Sequence, residues 1–221
     1  MKLTYREYGS GDNPLLILHG LFGSSRNWHS IAQRLSGYHV YVPDARNHGA
    51  SPWDGEMGYD AMAGDVQDFI QEHRLGQAIV CGHSMGGKTA MLTALQHPGQ
   101  VRALVVVDIA PVRYAHDLDE FISIMQSVDL AVVRRRSDVD AVLGKAIANP
   151  HIRSFLLQNL VANEGRYQWR LNLQVLAQAM TEIGDFPVID TAYTGPVLFV
   201  GGAQSGYILP EFHERIYRLF P

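Results

Sequence analysis

Residues 78–96 read AIVCGHSMGGKTAMLTALQ. The opening AIVC is a short, continuous apolar run, as a strand buried on both faces requires. Met85 to Gln96 carries helical spacing, so GHSMGG at 82–87 makes the passage from strand to helix a hard turn with Ser84 at its apex. Glycines two before and two after the serine relieve crowding against the neighbouring strand and helix. A helix starting here aims its first amides at the hydroxyl, so the Met85 N–H can stabilise a developing oxyanion. The G-x-S-x-G pattern in a strand–turn–helix setting marks an exposed nucleophilic serine. The plain alternative is a glycine-rich turn without chemistry.

The same rhythm repeats on both sides. LLILH (15–19), YHVYVPD (38–44) and VRALVVVD (101–108) are further buried-strand runs, and Leu3 to Tyr8 alternates weakly, as an edge strand does. WHSIAQRL (28–35) has helical spacing, and Tyr59 to Arg74 carries a stripe of Met62, Val66, Phe69 and Ile70. Strands alternating with helices imply βαβ units, a parallel doubly wound sheet and right-handed crossovers. From about Val112 to Asp185 only helical periodicity is found, in FISIMQSV, AVLGKAIA, IRSFLLQNLV and WRLNLQVLAQAM. The strand pattern returns in GPVLFVGG (195–202), and EFHERIYRLF is a last helix. The reading is an α/β protein with a core of 1–111 and 186–221 and a helical cap, or lid, inserted at 112–185.

The chain has 221 residues, 18 basic and 22 acidic side chains and a formal net charge of −4. That length suits one domain with an insertion, and mild acidity leaves no electrostatic footprint for nucleic acid. A single cysteine, Cys81, excludes an internal disulfide framework and fits a reducing compartment. MKLTYREYG has no apolar signal-peptide core, and no apolar run reaches the roughly 18–20 residues of a membrane span. A soluble, cytoplasmic protein is expected.

HGLFG at 19–23 closes the first buried strand, where the Leu21 N–H can supply a second oxyanion donor and His19 organises the loop. HGLFGS, PDARNHGASP, GHSMGG and VVVDIAPV, in this order and spacing, resemble the α/β-hydrolase superfamily and within it most closely the YbfF-type bacterial esterases. The resemblance implies a Ser-His-Asp hydrolase of acyl esters or acyl thioesters, with a helical cap over the site, a small-molecule substrate and neither cofactor nor metal.

The acid commonly lies after the strand that follows the cap. Here that loop, GGAQSGYILPE, holds only Glu211 beyond a proline, with Ser205 and Gly206 where an aspartate is expected. Asp108 ends the strand next along from the nucleophile strand and is the candidate acid, the alternative being a cap for the DIAPV turn. A serine hydroxyl needs a histidine base in reach. Of ten histidines only His213 follows VLFVGG, inside a helix expected to pack against the sheet face. The base is therefore expected beyond Pro221, with His116 or His48 acting instead, or a catalytically silent relative, as alternatives.

Phe22 and Met85 are candidate pocket walls. Arg46, Asn47 and His48 read first as loop organisers and second as substrate contacts, His48 being the candidate carried forward. Phe121, Ile124, Met125, Phe155, Leu156, Leu160 and Trp169 read mainly as cap core with one or two at the acyl site; Trp169 is the candidate substrate contact. Arg134 to Arg136 form a solvated helix face or a patch for coenzyme A phosphates.

Overall fold

A six-stranded sheet organises the chain in a computed structural model that describes residues 1–114 and 118–221. In chain order its elements are β1 (Tyr5–Tyr8), β2 (Asn13–Leu18), α1 (His29–Ala32), β3 (Tyr38–Pro43), α2 (Tyr59–Glu72), β4 (Ala78–His83), α3 (Met85–Gln96) and β5 (Val101–Val107). There follow α4 (Leu118–Gln126), α5 (Arg136–Leu143), α6 (Pro150–Leu157), β6 (Leu160–Asn163), β7 (Arg166–Trp169), α7 (Leu173–Gly184), β8 (Val197–Val200) and α8 (His213–Leu219). The sheet order is β1-β3-β2-β4-β5-β8, with β1 antiparallel to β3 and every other pairing parallel. Each parallel step needs a crossover, which the intervening helices supply.

Strand alternation divides the core. Leu16, Leu18, Val80, Leu104 and Val106 pack with Val66, Phe69 and Ile70 of α2 and with Ala90, Met91 and Ala94 of α3. Leu15, Ile17, Val40 and Val42 point to the other face, over Ala32 and Trp28. Met85 through Leu95 of α3 are all buried, as a helix enclosed by the sheet, α2 and the inserted segment must be. The helix predicted over 28–35 is shorter: a 3₁₀ turn at Ser25–Trp28 leads into the single turn of α1.

The inserted segment lies between β5 and β8, which pair directly from Leu104↔Val197 to Val107↔Val200. Its helices enclose Ile122, Met125, Val139, Leu143, Leu156 and Leu176, and this core is continuous with Leu21, Phe22, Met62 and Met85 below it. One expectation is corrected here. The segment is not purely helical, because β6 and β7 form an antiparallel hairpin with Asn163 opposite Arg166. The two residues between them, Glu164 and Gly165, have φ of 50° and 77°. Positive φ at both central positions is the turn whose twist matches a hairpin; the helical run that IRSFLLQNLV suggests stops earlier, at Leu157.

α8 closes the sheet near β8, with Ile216, Leu219 and Phe220 buried and Tyr193 N–H donating to the Leu219 carbonyl at 2.9 Å. His213, its first residue, is exposed and its ring meets Tyr217. Among the described residues no helix is long and apolar enough to cross a membrane.

Candidate active site

Ser84 sits between β4 and α3 at φ 52° and ψ −119°, a backbone state L-residues rarely hold. Such strain costs on the order of 1–3 kcal/mol and persists only where the surroundings impose it. They do so here. Ser84 N–H donates to the Val107 carbonyl of β5 at 3.1 Å, and the Ser84 carbonyl accepts from Lys88 N–H at 3.0 Å, opening α3. A Cβ on Gly82 would stand 2.1 Å from the Gly86 carbonyl oxygen, and one on Gly86 would stand 2.4 Å from that of Leu18. The elbow is thus closed by main chain on both sides, and only glycine fits at either position.

The loop after β2 lies against this elbow. Gly20 to Gly23 form a turn closed by Gly23 N–H to the Gly20 carbonyl at 2.9 Å, with Phe22 at φ 62°. A Cβ on Gly20 would come within 3.3 Å of the Ser84 Cβ, so this turn borders the nucleophile directly. His19 pins it from beneath. The His19 Nδ1–H donates to the Gly20 carbonyl and its Nε2 accepts from Ala45 N–H, each at 2.9 Å. Burial lowers the His19 pKa, and with both nitrogens committed the ring is an organiser.

Asp108 follows β5 at φ 55°, its N–H donating to the Val200 carbonyl at 2.8 Å. Its Oδ1 accepts from Gly202 N–H at 3.2 Å, in the loop after β8. Ser84, Asp108, Leu21 and Phe22 open together onto a cavity of about 460 Å³. Trp28 and Ile31 form one wall, and Leu118, Phe121, Ile152 and Phe155 form the roof. Among the described residues no lysine or arginine lines it. Met85, expected at the wall, is 3% exposed and turns its side chain into the core under the elbow.

Two expected substrate contacts are corrected. His48 has no exposed surface and does not line the cavity. Its Nδ1–H donates to the Arg46 carbonyl at 2.9 Å while Nε2 has no hydrogen-bond partner among the described residues, and burial, with His19 nearby, pushes its pKa down to about 3. It packs the loop after β3, where Arg46 Nε and Nη2 grip Asp65 at 2.7 and 2.8 Å. Trp169 faces the core of the insertion, its Nε1–H donating to the Met125 carbonyl at 3.2 Å, and it borders a separate cleft. In β7 it is the alternate residue that points inward, a direction helical spacing does not give.

Within the arginine run, Arg136 is committed elsewhere. Arg136 reaches the carbonyls of Leu157 and Leu160, and Arg135 is exposed beside Asp138. His116 lies outside the described residues. Among the described residues no histidine ring is hydrogen-bonded to Ser84 or Asp108. His83 reaches the cavity rim with its pKa lowered by burial, partly offset by Asp108. Sequence reading missed Trp28, Ile31, Ile152 and Tyr207 as lining residues; all are brought to the cavity by packing between segments distant in the chain.

Residues 13–221 match the alpha/beta hydrolase fold family. The chain belongs to that family. It is 42% identical over 232 residues to the sn-1-specific diacylglycerol lipase ABHD11 of Danio rerio, covering 100% of this chain and 73% of that protein. It is 32% identical to esterase YbfF of Escherichia coli, covering 100% of this chain and 87% of the relative. A solved structure described as a marine microorganism esterase superposes with a TM-score of 0.96 at 38% identity, over 100% of this chain and 88% of that one. Within this α/β hydrolase the loop after β8 offers Asp108 a main-chain N–H from Gly202. The Asp108 carboxylate itself stands just after β5.

Proposed function

We propose that this α/β hydrolase cleaves carboxylic esters through an acyl-enzyme formed on Ser84. The observation that carries the reading is the strained Ser84 elbow opening, together with Asp108 and the Gly20–Gly23 turn, onto one apolar cavity. The relatives named as lipase and esterase support it. In the reaction the Ser84 hydroxyl attacks the acyl carbonyl, and the oxyanion is held by the Leu21 and Met85 main-chain N–H groups. A histidine takes the serine proton and passes it to the departing alcohol, with Asp108 orienting the imidazolium. Water, activated by the same histidine, then releases the acid. His19 and His48 are bound into the loops beneath the elbow and do not fill this role.

The cavity suits an uncharged acyl chain, since apolar side chains dominate its walls and roof. An acyl thioester presents the same carbonyl, but among the described residues the lining holds no lysine or arginine for coenzyme A phosphates. The test is fluorophosphonate labelling and p-nitrophenyl ester hydrolysis by the full chain. Wild type labels and turns over, whereas Ser84→Ala does neither. Equal labelling of both proteins overturns the assignment.

A further inference from the structure

Asn159 stands in the insertion between α6 and β6, 3% exposed and outside the lining of the catalytic cavity. Its Nδ2–H donates to the Phe22 main-chain carbonyl at 2.8 Å, across 137 residues of sequence. Phe22 is the positive-φ residue of the Gly20–Gly23 turn. The bond therefore joins the insertion to the loop that carries the Leu21 N–H. A bulky residue holds a left-handed backbone only where its surroundings over-determine it. The turn's own bond holds the Gly23 N–H, and Asn159 holds the carbonyl of that same Phe22–Gly23 peptide, so the unit that closes the turn is fixed at both of its polar groups.

Asn159 is itself held from several directions. Its N–H donates to the Leu156 carbonyl at 3.0 Å, and its carbonyl accepts from Arg170 N–H at 2.8 Å. The Arg136 guanidinium bonds the carbonyls of Leu157 and Leu160, on either side of it. A neighbouring bond, Asn27 Nδ2–H to Gln158 Oε1 at 3.0 Å, is exposed, where water competes with it. The Asn159 bond is buried, so its partner cannot turn to water if it is lost.

We propose that Asn159 is a positioning residue for the oxyanion hole: the insertion roofs the cavity and also holds the turn in the conformation that presents the Leu21 N–H to Ser84. The proposal rests on the reading of Ser84 as nucleophile and Leu21 as oxyanion donor. It implies that the hole is fully formed only with the insertion seated, so binding and catalysis respond differently to loss of the bond.

The experiment uses the full chain with Asn159→Leu, nearly isosteric but without a donor, and Asn159→Ala. Each is assayed for kcat and KM on p-nitrophenyl butyrate and for inhibition by an alkyl trifluoromethyl ketone. With that ketone the Ser84 Oγ adds to the carbonyl carbon, the C=O pair moves to the oxygen lodged in the hole, and the hydroxyl proton passes to the base. Deleting an oxyanion donor outright costs 10²–10³-fold, so a misplaced donor is expected to lower kcat roughly tenfold. KM stays within about twofold, and the ketone Ki rises by the same factor as kcat falls. Val139→Ala, which thins the insertion core at α5 without touching the turn, serves as the control and keeps kcat. Unchanged kcat and Ki in both Asn159 variants overturn the proposal. So does a Val139→Ala protein that loses as much kcat at an equal loss of melting temperature. Hydrolysis that survives Ser84→Ala, or wild type indifferent to the ketone, would instead remove the parent reading.

Discussion

Lys88, in the first turns of α3, donates a hydrogen bond of 2.9 Å to the carbonyl of Gly184, the last residue of α7. The same ammonium donates to the Asp185 carbonyl at 2.7 Å and lies 5.0 Å from the Tyr114 ring centroid. Tyr114 N–H shares the Gly184 carbonyl at 2.9 Å. One buried cation on the nucleophile's own helix therefore fastens both ends of the insertion.

Replacing Lys88 with Met is expected to cost about 1–3 kcal/mol at pH 9, because two buried carbonyls lose their donor. Burial pushes the lysine pKa down to about 7 from its ordinary 10.5, with Asp185 opposing the shift. The unfolded chain then holds more protons between these values, so this group's contribution is complete above 10.5 and is lost as pH falls towards 7. Denaturant unfolding near pH 7 and near pH 9 should show wild type gaining on Lys88→Met at the higher pH. Parallel behaviour contradicts the assignment.

His48 carries the same direction of pH dependence into the acid range. Its folded pKa near 3 lies below the ordinary 6.5, so the neutral ring stabilises fully above 6.5. That contribution is lost as the pH falls from there towards 3, where the unfolded chain binds the proton first. His48→Asn keeps a donor near Nδ1 for the Arg46 carbonyl and cannot titrate. Melting temperatures followed below neutrality should fall less steeply for the variant, with His19 and His83, whose pKa values burial also lowers, contributing to the slope that remains.

Ser84→Gly should abolish fluorophosphonate labelling and yet raise stability. Glycine holds φ 52° without the Cβ clash, so a gain of roughly 1 kcal/mol is expected. Calorimetry beside the labelling assay checks both; a loss of stability counts against strain at the elbow.

Glycines in two helices should answer oppositely to alanine. Gly86→Ala drives a Cβ to 2.4 Å from the Leu18 carbonyl oxygen and is expected to lose about 1–3 kcal/mol, with labelling weakened. Gly64→Ala in α2 meets nothing within 4 Å and should gain about 0.5–1 kcal/mol. Chemical denaturation of the pair, read against wild type, gives the signs.

The parallel core was legible because its signals are local. AIVCG, VRALVVV and the helix from Met85 to Gln96 announce themselves within about a dozen residues, and the glycines at 82 and 86 encode the contact between strand and helix. The β6–β7 hairpin was not legible: LLQNLV has helical spacing, and only positive φ at Glu164 and Gly165 turns the chain back on itself. With that turn Trp169 moves to the core of the insertion and away from the cavity. His48 was misplaced for a related reason, since the loop after β3 folds inward around Arg46 and Asp65, a pair 19 residues apart.

Sequence alone determined the sheet, the elbow and the apex position of Ser84, because each depends on residue spacing shorter than one βα unit. Tertiary structure alone decided which side chains share the cavity with that serine, and that Asn159 reaches the Phe22 carbonyl. Those relationships close loops of many residues, and burial selects them. No periodicity within the chain records that selection.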